Sequence, residues 1–249
     1  EGEGIKPSLL IKQVKEIKAI CTKHKLDVLH LYGYNRTAHL AGGLRMFGLD
    51  IPVVVTIFAT FFPERLGFVT KRLWKRVDSV VAATEFTVGK LNQEGIQVTQ
   101  IKHGAVRDLN SELEGSRSKE KNKVLFWRDL TVENGADVVI ESYIQLATEF
   151  PDIQFELAVR KHWNEIQHVD GMIEQYPNIV LRRFPYQDGV TLASLMDSSI
   201  CVVMPIRDVS IDPQLVIVET LAAGIPIVTT NHRSNPEIVT DGQTGMLVP

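Results

Sequence analysis

The sequence predicts an α/β protein made of two parallel-sheet domains in tandem, and three observations carry that expectation. Short runs rich in Val, Ile and Leu alternate with longer segments whose apolar residues recur every three or four positions, the pattern of strands joined by crossover helices. With 249 residues, 44% of them apolar and 23% charged, the chain can bury one large core or two smaller ones. Its net charge of −3 is unevenly spread: residues 1–121 hold 19 basic and 13 acidic residues, residues 122–249 hold 8 and 17. Such asymmetry marks two bodies with different surfaces. The expected boundaries are a first domain over 1–112, a charged linker over 113–121 and a second domain over 122–249.

In chain order, Leu9, Leu10, Val14, Ile17, Ile20 and Cys21 recur at helical spacing. The first domain continues with "DVLHLYG" as a strand, "RTAHLAGGLRMFG" as a helix and "PVVVTIF" as a strand. It ends with the strand "DSVVAAT", the helix "EFTVGKLNQEG" and the strand "QVTQIKHG". In the second domain "KVLFW", "IQFELAV", "NIVLRR", "SICVVMPI" and "IPIVTT" read as strands, with helices around 133–149, 163–175, 188–197 and 213–224.

Several function classes find no support. Cys21 and Cys201 stand far apart in apolar surroundings, with no CxxC and no Cys/His cluster, so they read as reduced core thiols. No run approaches the roughly 18 apolar residues of a membrane span, and no basic-then-apolar leader opens the chain. A cytoplasmic protein is the expectation, and the sequon Asn35-Arg36-Thr37 reads as chance. There is no short-period repeat, no low-complexity tract and no sign of nucleic-acid binding.

Ligands of parallel sheets bind beyond the carboxyl ends of the strands. The six arginines of the second domain, Arg128, Arg160, Arg182, Arg183, Arg207 and Arg233, all fall at or close to predicted strand ends. A guanidinium is a planar fork of donors suited to phosphate, so this rim favours an anionic ligand such as a nucleoside diphosphate. The competing reading is that these arginines pair with the many nearby acids. Asp212 followed by Pro213 reads as the N-cap and first residue of helix 213–224. Backbone donors near Leu215 would then attract an anion, with the Asp212 charge competing for the same place. Glu219, two turns on and surrounded by Leu215, Val216, Ile217, Val218, Leu221 and Ala222, reads as a carboxylate for a hydroxyl-rich ligand.

The stretch "VVMPIRDVSIDPQLVIVETLAAGIPIVTTNHRSNPEIVTDGQTGMLVP" resembles the donor-binding half of glycosyltransferase family 4, retaining enzymes of the GT-B fold. Pro205, Glu219, Ala223, Gly224, Pro226, Pro236, Glu237, Ile238, Val239, Gly242, Gly245 and Leu247 match the family pattern. "DSVVAATEFTVGKLNQEGI", "IKHGAV" and "KVLFWRDLTVENGADVVIESYIQLATEFPDIQFEL" resemble the family's domain junction. The resemblance implies two Rossmann-like domains facing a cleft, the first for the acceptor and the second for the donor. It further implies transfer of a hexose-like sugar from a nucleoside-diphosphate sugar to an acceptor hydroxyl with retention, without cofactor or obligatory metal. Glu219 would hold the ribose, Arg128 and Arg207 the phosphates, and Asp212 or the backbone near Leu215 the sugar; no catalytic residue is assigned.

The departures are as specific as the matches. The family's sugar-binding glutamate falls on Ile211, its diphosphate-binding arginine and lysine on Asp129 and Asn134, and its histidine after the "PVVVTI" strand on Phe58. Ile and Phe cannot replace hydrogen bonds to sugar hydroxyls. Two alternatives therefore stand beside the transferase: a nucleotide-sugar epimerase of the same fold, and a catalytically silent nucleotide-sugar-binding homologue. The family's first Gly-rich loop and its helical tail are missing, so both domains are expected to be incomplete and the chain a fragment.

Residues 61–76, "FFPERLGFVTKRLWKR", carry five basic residues and one acid, with Phe62, Leu66, Val69 and Leu73 on one helical face. This segment reads either as a helix packing that face into the core or as a peripheral contact with an anionic membrane. In the second case the acceptor would be a lipid or a lipid-linked glycan.

Overall fold

The computed structural model describes residues 7–58, 67–105, 109–112, 118, 120–161, 165–187, 189–208 and 211–249. The chain divides into two compact units, Glu1–His103 with Ser210–Pro213, and Gly104–Val209 with Gln214–Pro249.

In the first unit α1 (Pro7–His24) precedes β1 (Leu29–Gly33), α2 (Asn35–Met46), β2 (Val53–Ile57), α3 (Phe68–Trp74), β3 (Ser79–Ala82), α4 (Glu85–Gln93) and β4 (Thr99–Gln100). The strands pair in parallel in the order β1-β2-β3-β4. Alternate residues Val53, Val55 and Ile57 of β2 are fully buried, packed with Val14, Ala38, Leu44, Trp74 and Leu91. A glycine is required at 42, because a Cβ there would lie 2.1 Å from the carbonyl oxygen of Leu73. α4 opens on Thr84, whose side chain accepts the N–H of Thr87 at 3.2 Å.

The second unit runs through α5 (Leu109–Glu112), β5 (Lys123–Phe126), α6 (Ala136–Glu149), β6 (Gln154–Val159), α7 (Val169–Ile173), β7 (Ile179–Arg183) and α8 (Leu192–Asp197). It continues with β8 (Ser199–Met204), α9 (Leu215–Ala222), β9 (Ile227–Thr230), α10 (Asn235–Ile238) and β10 (Gly245–Val248). Its parallel sheet has the order β10-β9-β8-β5-β6-β7. Leu125, Phe126, Leu157, Val202, Met204, Ile217 and Ile227 form the core around Tyr143. The Tyr143 hydroxyl donates to the Val124 carbonyl at 3.2 Å, and burial pushes its pKa well up. Glu156, fully buried on β6, is held between Arg182 and Lys123, the latter at 3.2 Å.

The expected alternation is present, and three expectations need correction. The domain boundary lies earlier than 112, at His103/Gly104, so 109–112 belong to the second unit. Of the expected linker, 113–117 and 119 lie outside the described residues. The Ser118 N–H donates to the Asp197 carboxylate, and the N–H groups of Asn122 and Lys123 donate to the Ser198 carbonyl at 3.3 Å. The Ser118 bond ties that stretch to the second unit, and the other two fasten the first residues after it. Helix 213–224 is shorter, starting at Leu215 with Gln214 as N-cap. Of the 61–76 segment, 61–66 lie outside the described residues. In α3 Leu73 and Trp74 are buried, whereas Phe68 is 77% and Val69 69% exposed, so Val69 does not share the buried face of Leu73.

Candidate functional site

In the second unit the sheet is built outward from β5 in one direction through β6 and β7, then in the other through β8, β9 and β10. The connections after β5 and β8 therefore leave in opposite directions, and a crevice opens between them at the carboxyl ends. This topological switch point locates the candidate site.

The two connections are fastened to each other. Gly135 adopts φ 74°, and a Cβ there would lie 2.0 Å from the carbonyl oxygen of Pro205, so backbone approaches backbone at this point. The Glu133 carbonyl accepts the N–H groups of Arg207 at 2.9 Å and Asp208 at 3.3 Å. Within the first connection Asn134 is buried. Its amide donates to the Asp129 carbonyl at 3.0 Å and to Thr131 Oγ1 at 2.9 Å, and its Oδ1 accepts Arg128 Nε at 3.3 Å. Asn134 is thus the internal brace of the loop that presents Arg128.

The arginine rim sorts into two kinds. Arg160 pairs with Asp129 at 3.7 Å, Arg182 with Glu156, and Arg183 with Glu165 at 3.3 Å and Asp170 at 3.1 Å. Arg207 pairs with Asp137 at 2.8 Å and Arg233 with Asp208 at 3.0 Å. For these five the reading as partners of nearby acids holds, although Arg207 remains at the mouth of the crevice. Arg128 differs: among the described residues it makes no ion pair, and its terminal amino groups have no protein acceptor. Burial lowers its pKa; the Asp129 charge raises it, Arg160 lowers it and Glu219 raises it. Glu219, half-buried on α9, therefore lies within electrostatic reach of Arg128, and the structure brings these two predicted residues together.

Asp212 is the main correction. It is neither the N-cap of α9 nor a competitor for an anion there. Its carboxylate is buried in the first unit, where it accepts the hydroxyls of Thr84 at 2.5 Å and Thr87 at 2.6 Å. With the Asp212 side chain turned away, α9 opens at Leu215 with no side-chain cap hydrogen bond. The Asp212 N–H donates to the Phe58 carbonyl at 3.0 Å, so the two apolar departures from the family pattern, Phe58 and Ile211, run close together.

Two aromatics after strands of the second unit, Trp127 and Tyr186, carry polar groups that the sequence does not single out. The Trp127 indole N–H, next to Arg128, is buried without a hydrogen-bond partner among the described residues. Tyr186, after β7, has its pKa raised by burial and lowered by Arg160. No sequence signal separates such residues from ordinary core aromatics. Among the described residues no group of three or more His, Cys, Asp or Glu side chains is placed to hold a metal ion.

Two parallel-sheet α/β units of this topology make the GT-B fold, and solved structures share it. A glycosyltransferase from Rickettsia africae matches all of this chain and 69% of its own length, with a TM-score of 0.68 and 17% identity. A UDP-GlcNAc 2-epimerase from Neisseria meningitidis, solved with UDP-GlcNAc bound, matches 99% of this chain and 71% of its own, with a TM-score of 0.61 and 17% identity. The chain belongs to the family described as glycosyl transferases group 1, which matches residues 121–249, just over half of it. A Salmonella typhimurium protein named as the colanic acid biosynthesis glycosyltransferase WcaL is 23% identical over 196 residues, 72% of this chain. The chain spans 46% of that relative's length.

Proposed function

We propose that this chain is the donor-binding part, with a portion of the acceptor side, of a glycosyltransferase. It would move a sugar from a nucleoside-diphosphate sugar to an acceptor hydroxyl with retention. The observation that carries the reading is Arg128: a half-buried guanidinium at the switch point, with free terminal donors and a carboxylate on α9 within electrostatic reach. When the bond from the anomeric carbon to the diphosphate breaks, negative charge grows on the leaving phosphate. A fixed cation in a partly dry crevice stabilises that charge at little reorganisation cost. Glu219 accepts the ribose hydroxyls, and Arg207, paired with Asp137 at 2.8 Å, joins the phosphate only by exchanging that partner for it. The backbone of α9 near Leu215 faces the sugar.

A second reading, binding without turnover, draws on the loop after β5. Asn134 spends its amide inside the loop and Asp129 pairs with Arg160, so neither replaces the cations that the family resemblance places there. The two readings differ in one assay. In the transferase reading the full-length protein releases nucleoside diphosphate from a nucleoside-diphosphate sugar only when acceptor is added. Stabilisation by the nucleotide without release supports silent binding, and conversion of the sugar without acceptor marks an epimerase. Both binding readings require a thermal shift equivalent to about 2.7 kcal/mol at a hundredfold excess over Kd, reduced in Glu219→Gln. No shift with UDP, GDP or their sugars overturns both.

Among the described residues no helix is long and apolar enough to cross a membrane. We infer peripheral contact with an anionic membrane through α3, where exposed Phe68 and Val69 adjoin exposed Arg72, Lys75 and Arg76. Lys71 is engaged by Glu94 at 2.5 Å.

A further inference from the structure

Among the described residues, three that are not glycine have a positive φ: Lys25, His168 and Arg233. Lys25 directly follows α1, where helices commonly end in this conformation, and His168 is the N-cap of α7. Arg233, with φ 48°, lies just past the carboxyl end of β9, the end at which parallel sheets take ligands. A long side chain is strained in that conformation, and strained residues cluster at ligand sites.

The turn that carries Arg233 is braced. The His232 N–H donates to the Thr230 carbonyl at 2.8 Å, the Asn235 N–H to the His232 carbonyl at 3.0 Å and the Asn235 amide to the Thr230 carbonyl at 3.0 Å, with Ser234 and Asn235 buried. From this turn Arg233 Nη2 donates to Asp208 Oδ1 at 3.0 Å. The pair is lopsided, the arginine side chain being 22% exposed and the aspartate side chain 78%. The cation is fixed, whereas its acid stands largely in water, where an ion pair contributes little, so a ligand's anion can replace that acid. Asp208 follows Arg207, and its N–H donates to the Glu133 carbonyl in the loop that presents Arg128. β5, β8 and β9 are neighbours in the sheet. Arg128, Arg207 and Arg233 therefore follow the ends of three successive strands, themselves about 4.8 Å apart.

We propose that Arg233 selects a donor whose sugar carries a carboxylate, that is, a nucleoside-diphosphate uronic acid. The proposal rests on the donor reading above, with the diphosphate at Arg128 and the sugar near the start of α9. That helix connects β8 to β9, so a sugar at its start lies toward Arg233. A guanidinium presents parallel N–H donors that match the two oxygens of a carboxylate, with a charge attraction that a neutral hydroxyl does not offer. The uronate takes the place of Asp208, whose carboxylate is left to the water that already surrounds most of it.

The test is calorimetric titration of the full chain with UDP-glucose against UDP-glucuronate and GDP-mannose against GDP-mannuronate, pairs that differ only at C6. UDP and GDP are titrated alongside, in wild type, Arg233→Gln and Asp208→Asn. For at least one pair the uronate is expected to bind about tenfold more tightly than its neutral counterpart. Arg233→Gln should abolish that preference and leave the neutral sugar nucleotide within about twofold of wild type. Asp208→Asn, at an exposed position that keeps the fold, should enlarge the preference, because the competing carboxylate is gone. UDP or GDP binding with no preference for either uronate overturns the proposal and leaves the donor reading standing. A preference that survives in Arg233→Gln overturns the assignment to Arg233. Equal weakening of uronate, neutral sugar nucleotide and free diphosphate in that variant makes Arg233 a phosphate ligand and overturns it too. No binding of any nucleotide removes the donor reading and the proposal with it.

Discussion

Replacing Asp212 by alanine removes the acceptor of two buried hydroxyls, those of Thr84 and Thr87. All three residues are at most 3% exposed, so water cannot substitute. A hydrogen bond to a charged group contributes about 1.5–3 kcal/mol. Thr84 keeps part of its role, because its oxygen still accepts the Thr87 N–H at 3.2 Å. Taking the lower figure for each bond gives a loss of about 3 kcal/mol. For a unit of about 100 residues this corresponds to a fall in Tm on the order of 12–24 °C. The reverse perturbation, Thr84→Val with Thr87→Val, deprives a buried carboxylate of two donors and costs more. Combining it with Asp212→Ala costs less than the sum of the two, with a coupling of about 1 kcal/mol or more. Thermal and urea melts followed by Trp74 fluorescence, with the other two tryptophans replaced by phenylalanine, isolate the first unit. A loss below about 0.5 kcal/mol, or strict additivity, would refute the cluster.

Gly135→Ala places a Cβ against the Pro205 carbonyl at a left-handed φ, so it is expected to destabilise the second unit by more than about 2 kcal/mol in urea melts; a neutral outcome contradicts the contact between the two connections. Burial raises the pKa values of Cys201 and Tyr143, so the folded state holds these protons more tightly than the unfolded chain, whose values are about 8.5 and 10. That stability is fully present at neutral pH and is lost as pH rises past about 8.5; the urea midpoint should fall from pH 8 to pH 10.5, less steeply in Cys201→Ala, and a flat profile speaks against it. Anionic liposomes should sediment the chain at low salt and release it at high salt, and either Phe68→Ser with Val69→Ser or glutamine at 72, 75 and 76 should abolish binding; sedimentation that both variants leave intact ends the membrane assignment.

What the sequence disclosed and what it withheld follow from the range of the interactions. β-Branched runs such as "PVVVTIF" and "IQFELAV" bury alternate or all residues, and that pattern is local, so both sheets were legible from it. Glu219 stands out in the sequence because it lies in a motif with fixed spacing to Gly224 and Pro226, and the fold adds that it is half-buried on α9 within electrostatic reach of Arg128. Asp212 was misread because Asp-Pro before a helical run is a local capping signal, whereas its real partners are 128 and 125 residues away. The partner of Arg207 is 70 residues away, which equally hid which of the second domain's arginines are in ion pairs and that Arg128 makes none among the described residues. The alternation in "DVLHLYG" separates Leu29 and Leu31 from His30 and Tyr32, yet only the folded sheet shows which of these faces joins the core.

The most direct measurement is calorimetric titration of UDP and GDP, with uridine and guanosine alongside, into the wild-type chain and Arg128→Ala. The free terminal donors of Arg128 meet phosphate and not base or ribose, so the variant should bind the nucleoside diphosphates roughly 10- to 150-fold more weakly. Its affinity for the nucleosides should stay within about twofold of wild type. A diphosphate Kd unchanged by the substitution, or an equal loss for nucleoside and diphosphate, would contradict Arg128 as the phosphate ligand at the switch point.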